Sequence, residues 1–103
     1  MTEFHNVSVV KQANVYFDGK CVSHSFTTPQ GEKKSVGVVL AATLNFGTAA
    51  AEIMECVAGE CRYRLQGSQD WVTVQAGESF QVPANSSFDI EVADAFHYIC
   101  HYA

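Results

Sequence analysis

Glu52-Ile-Met-Glu-Cys-Val-Ala-Gly59, read together with Gly77-Glu-Ser-Phe-Gln-Val-Pro83, is the stretch that decides the fold. In the first segment six residues separate a glutamate from a glycine; in the second, five separate a glycine from a proline. Apolar and polar residues alternate with period two on either side of both, which is the pattern of half-buried strands. The glycines carry turn chemistry, and Pro83 ends its strand because it has no N–H to give to a ladder.

The same alternation extends outward. Lys20 to Phe26 alternates, and Thr28-Pro-Gln-Gly31 opens a loop that runs to Lys34. Ser35 to Leu40 is a β-branched run broken at Gly37, the mark of a bulge or of close backbone approach. Leu44 to Thr48, Glu52 to Val57 and Cys61 to Leu65 follow, the last two joined at Gly59. Trp71 to Val74, Ser79 to Val82 and Phe88 to Val92 come next. The closing strand sets Phe96, Tyr98, Cys100 and Tyr102 on one face, assigned to the interior. Nine or so short strands with tight turns predict a single all-β domain, a jelly-roll-like β-barrel over residues 14–103. Residues 1–13 form an N-terminal extension, whose Phe4, Val7, Val9 and Val10 suit either an added strand or a partner subunit.

Composition narrows the function classes. A chain of 103 residues, 48% hydrophobic and 17% charged, is one globular domain with room for one core. Net charge is −5 and the six basic residues are scattered, so no stripe exists to neutralise polymeric nucleic acid. No apolar run reaches the roughly 20 residues of a spanning helix. The start, Met1-Thr-Glu-Phe-His-Asn6, lacks a signal-peptide pattern, and a cytoplasmic location is expected. Cys21, Cys56, Cys61 and Cys100 include no C-x-x-C pair and read as small buried hydrophobes. Cys56 and Cys61 flank Gly59 and can face each other across a hairpin there.

The two spacings resemble the paired signatures of the cupin barrels. A cupin metal site usually places His-x-His shortly before the glutamate and another histidine five residues after the proline; here those positions hold Phe46, Thr48 and Phe88. The resemblance implies a cupin pocket that has lost its metal. His97 and His101 do not replace the missing ligands, since four strand residues span about 13 Å.

From Asn14 to the C-terminus the chain is similar, more specifically, to the small bacterial pyrimidine/purine nucleoside phosphorylases, which are single-domain cupins. The likeness is carried by Asn14-Val-Tyr-Phe-Asp-Gly-Lys20, Ser35-Val-Gly-Val38, Phe46-Gly-Thr48, Glu52-x-Met54, Ala76-Gly77, Phe80-x-Val-Pro83, Phe88 and Tyr98-x-Cys-x-Tyr102. It implies cleavage of purine and pyrimidine nucleosides by inorganic phosphate to free base and pentose 1-phosphate. It also implies a homodimer.

Phosphorolysis needs an anion cradle, hydrogen bonds to the pentose and a surface for the base, with no cofactor beyond the phosphate itself. Glu52, pointing into a cupin barrel, is the catalytic candidate: its carboxylate can accept ribose hydroxyls and offset positive charge on the sugar, or can simply be paired at the barrel mouth. Phe46 and Phe88 offer π faces for any base, although buried phenylalanines are also ordinary core. Met54 shares the Glu52 face as pocket wall, and the Tyr98 hydroxyl suits base or phosphate. Thr48 can donate to substrate or act only as a good β-former. For phosphate the candidates are Lys20 and Ser35 with the backbone near Gly37, because Arg62 and Arg64 alternate outward. Two other readings remain open: a non-catalytic small-molecule-binding cupin, and a cupin isomerase or dioxygenase with relocated ligands.

Overall fold

Three strands of 15, 14 and 16 residues carry the architecture: β4 (Lys33–Gly47), β5 (Glu52–Leu65) and β8 (Ser87–Tyr102). The computed structural model describes residues 3–102. Around the three long strands lie β1 (Ser8–Val9), β2 (Asn14–Tyr16), β3 (Cys21–Thr27), β6 (Val72–Gln75) and β7 (Ser79–Val82). All pair antiparallel in one sheet of order β1-β3-β4-β8-β5-β6, with β2 also on β3 and β7 also on β5.

The long strands each serve two layers. The first half of β8 lies between the second halves of β4 and β5, with Phe88 opposite both Phe46 and Leu65. Its second half lies between their first halves, with Cys100 opposite Ser35 and Met54. Register shifts at Leu40/Ala42, Cys56/Ala58 and Gly59/Arg62 bend the strands so that one half folds over the other. The core sits between the layers, with Phe96, Ile90, Val39 and Cys56 among its most deeply buried side chains.

These bends correct the strand count. Interruptions that look like turns are bulges, so pairs of expected short strands merge into β4, β5 and β8 and eight strands remain among the described residues. Gly59 lies inside β5 and closes no hairpin, and Cys56 and Cys61 are both buried along that same strand. Its φ is +76°, and a Cβ there would stand 2.0 Å from the Ala95 carbonyl oxygen, so only glycine lets β5 and β8 cross. Gly37 keeps regular register with Ser23 and Tyr98; a Cβ on it would meet the Val22 carbonyl oxygen at 2.6 Å, which accounts for the missing side chain by close approach.

Within the N-terminal extension Ser8 and Val9 join the sheet. β1 pairs with Phe26 and Thr27, and the Phe4 ring packs 4.9 Å from that of Phe26. On the outside of the second layer Arg62 pairs with Glu91 and Arg64 with Asp89, and both guanidiniums lie over Trp71 at 5.1 and 4.6 Å. These arginines therefore point away from the interior.

Candidate active site

Between the layers lies a cavity of about 160 Å³ with two unlike walls. Its size is close to that of an engineered cavity of roughly 150 Å³ that holds benzene, so it encloses one ring system. Phe46, Phe88, Met54, Ile90 and Tyr16 make the apolar wall. The Phe46 and Phe88 rings stack at 5.7 Å, and Phe17 and Tyr16 meet Phe46 edge-on at 5.3 and 6.3 Å. Phe17 and Asp18 hold positive φ of 52° and 54°, strained values that set the turn Phe17–Gly19 over the Phe46 ring.

The opposite wall is polar: Ser23, Ser35, Tyr98, Cys100 and Tyr102, with Glu52 beside them. Alternation puts Tyr98, Cys100 and Tyr102 on one side of β8, and register brings Ser35 opposite Cys100 and Glu52 opposite Tyr102. The Ser35 and Tyr102 hydroxyls are 3.0 Å apart, the Tyr98 hydroxyl is 3.4 Å from the Cys21 sulfur, and the Asn14 amide donates to Ser23 at 3.3 Å. Burial pushes the Cys100 thiol up to about 12, with the Glu52 charge adding to it, and burial pushes the Tyr102 phenol up to about 12. Burial also raises Tyr98, with Cys21 assisting. At neutral pH all three are therefore neutral groups able to donate.

Burial likewise raises the Glu52 carboxyl above its ordinary range, partly offset by the Cys100 thiol. Among the described residues Glu52 makes no ion pair, and no lysine or arginine lines the cavity. Outside it, a shallower depression of about 460 Å³ runs past Ile53, Gln81 and His101 and shares Glu52 and Tyr102 with the cavity.

The structure thus gathers Glu52, Phe46, Phe88, Met54, Tyr98 and Ser35 around one space. Thr48 and Lys20 are not on its wall. The Thr48 hydroxyl donates to the Pro83 carbonyl at 2.7 Å and accepts the Ser86 N–H at 3.0 Å, pinning two loops together. Lys20 follows the Phe17–Gly19 turn, its backbone N–H on the Phe17 carbonyl, and its residue is exposed. The Gly37 backbone lies within the ladder of β3, β4 and β8 and forms no nest. The three former metal positions do not fit an ion: Phe46 and Phe88 have no donor atom, and the Thr48 hydroxyl is engaged. Tyr16, Ser23, Cys100 and Tyr102 are not among the site candidates of the sequence, although the period-two run through Tyr98 already puts Cys100 and Tyr102 on the interior face.

A family model described as pyrimidine/purine nucleoside phosphorylase matches residues 11–102. The chain belongs to that family. A pyrimidine/purine nucleoside phosphorylase of Ralstonia pickettii (strain 12J) is 71% identical over 100 residues, 97% of this chain and 95% of that protein. The crystal structure of a protein of unknown function from Acinetobacter sp. ADP1 superposes with a TM-score of 0.95 at 42% identity, covering 98% of each chain. The Clostridium difficile EutQ protein, at 18% identity, 92% coverage of this chain and 79% of its own, has a TM-score of 0.68 and shares the fold alone. This phosphorylase-family chain is all-β and of the cupin class, with its sheet folded over but not closed. Among its described residues no helix is long and apolar enough to cross a membrane.

Proposed function

We propose that the chain is a nucleoside phosphorylase of broad specificity, which cleaves purine and pyrimidine nucleosides with inorganic phosphate to free base and pentose 1-phosphate. It would thus be a pentosyltransferase, working in the cytoplasm without metal or organic cofactor. The observation that carries this reading is the placing of one uncompensated carboxyl, Glu52, between a stacked aromatic wall and a wall of hydroxyls. Phe46 and Phe88 take the face of the base, and stacking is tolerant of base identity. The Tyr98 and Ser23 hydroxyls meet its edge, and their hydrogens rotate to suit either donor or acceptor. Glu52 stands at the sugar, where a carboxylate stabilises an oxocarbenium-like carbon. Ser35 and Tyr102, at the side shared with the outer depression, offer hydroxyls to phosphate.

A homodimer fits the outer face of β4, β8 and β5. Val36, Leu40, Ile53 and Val57 are each more than 40% exposed there. The charges of that face are already matched, since His101 bridges Lys34 at 2.7 Å and Glu55 at 2.9 Å, so a second copy meets no unpaired like charge.

The deciding experiment incubates the purified protein with uridine and adenosine, with and without phosphate. Phosphate-dependent release of uracil and adenine is expected. No release across a nucleoside panel would leave the non-catalytic small-molecule-binding reading.

A further inference from the structure

The ring-sized cavity and the outer depression meet at only two shared residues, Glu52 and Tyr102. A ligand made of a heterocycle joined to a pentose therefore has its base inside, its sugar outside and its glycosidic bond at the Glu52 carboxyl. Resting on the proposed phosphorolysis, we infer that Glu52 starts each turnover as the neutral acid and delivers its proton to the departing heterocycle.

The charges of the site support this. Glu52 is half-buried and makes no ion pair among the described residues; the basic groups on the depression side, His101 and the Lys34 bonded to it, are engaged with Glu55 and with each other. A carboxylate so placed is costly, and a phosphate anion arriving beside it would add like-charge repulsion. Protonation removes both penalties at once. The raised pKa that burial gives Glu52 acts in the same direction.

The step balances without a further reactant. An oxygen of hydrogen phosphate bonds to C1′ while the C1′–N bond breaks, its electron pair going to the heterocycle. The Glu52 proton moves onto a nitrogen or oxygen of that heterocycle, so the base leaves neutral. The carboxylate so formed faces the sugar as positive charge develops on it, then takes the proton of the phosphate and is an acid again. Cys100 and Tyr102 are poor substitutes, since burial holds their protons too tightly.

Guanosine and 7-methylguanosine separate proton donation from other roles, because the methylated base already carries the positive charge and departs neutral without a proton. In Glu52→Gln, kcat on guanosine is expected to fall at least about a hundredfold, in the range of general acid catalysis. The loss on 7-methylguanosine should stay below about tenfold. Wild-type kcat on guanosine should decline as pH rises through the Glu52 pKa, with a much flatter profile on 7-methylguanosine. Equal losses on both substrates would overturn proton donation, and so would no loss on either. Should the wild-type protein cleave none of guanosine, 7-methylguanosine, uridine and adenosine, phosphorolysis itself is refuted and this inference with it. Circular dichroism of the near-isosteric variant separates a folding defect from a chemical one.

Discussion

The hydroxyls of Ser35 and Tyr102 lie 3.0 Å apart across β4 and β8, although 67 residues separate them in sequence. Each is the other's partner in the polar wall that also holds Ser23, Tyr98 and Cys100. Tyr102→Phe removes the phenolic oxygen and leaves the Ser35 hydroxyl buried with one partner fewer. A hydrogen bond of this kind contributes on the order of 1 kcal/mol. The expected result is a KM for phosphate raised about fivefold, with the KM for uridine changed much less, as measured by initial rates with each substrate varied in turn.

Phe46 is half-buried, so its replacement reports on binding more than on folding. Stacking on an aromatic ring is worth about 1–3 kcal/mol per base. Phe46→Leu should raise KM for adenosine and uridine by at least about fivefold each, and by similar factors, because a π face does not distinguish them. A selective loss for one base class would assign Phe46 to base recognition by shape.

Gly59→Ala places a methyl group 2.0 Å from the Ala95 carbonyl oxygen. Neither backbone can retreat without breaking the β5–β8 ladder, and the variant is expected to lose soluble expression or most of its cooperative melting. Gly67→Ala is the control. Its φ is also positive, +83°, but nothing lies within 4 Å, so the cost should be only about 1–2 kcal/mol by chemical denaturation.

Glu52 links stability to pH. Burial raises its folded pKa above the ordinary 4.5, so the folded protein keeps a proton that the unfolded chain releases. That stabilisation is complete below the unfolded pKa and is lost as pH rises through the folded one. Thermal melts in a pH series should therefore show Glu52→Gln gaining on the parent protein as pH increases, and the gap should level off once the folded carboxyl is ionised. A pH-independent gap would place the side chain in solvent.

Ile53 is 41% exposed on the outer face of β5. Ile53→Asp puts a charge on that face; because Ile53 also lines the outer depression, the readout is mass and not activity. If two copies pack there, size-exclusion chromatography with light scattering should give the parent twice the mass of the variant. Identical masses would move the subunit contact elsewhere.

Inward parity was legible wherever alternation was strict. Glu52 and Met54 on β5, Phe46 on β4, Phe88 and Tyr98 on β8 all reach one cavity because each sits at the odd or even positions of its strand that face inside. Bulges were not legible. Gly59 interrupts alternation as a turn would, and only the pairing of β5 with β8 reveals that the strand continues through it. Ser23 and Tyr16 escaped for a different reason: they enter the cavity through the pairing of β3 with β2 and β4, which no local pattern announces. Thr48 had the right spacing, but its hydroxyl is taken by a loop contact that arises only once residues 83–86 have folded back.

Since β4, β5 and β8 each run unbroken through both layers, the two sides of the cavity are covalently one piece. Such a vessel has no interdomain joint to open. Passage of a ligand falls to the rim, where Tyr16 and Tyr102 are 44% and 45% exposed, the first held by the Phe46 ring and the second by the Ser35 hydroxyl. Rotation of exposed side chains takes picoseconds to nanoseconds, against microseconds to milliseconds for domain closure. For the phosphorolysis proposed above, the expected consequence is a turnover limited by chemistry, so rapid mixing should show no burst of free base before the steady state.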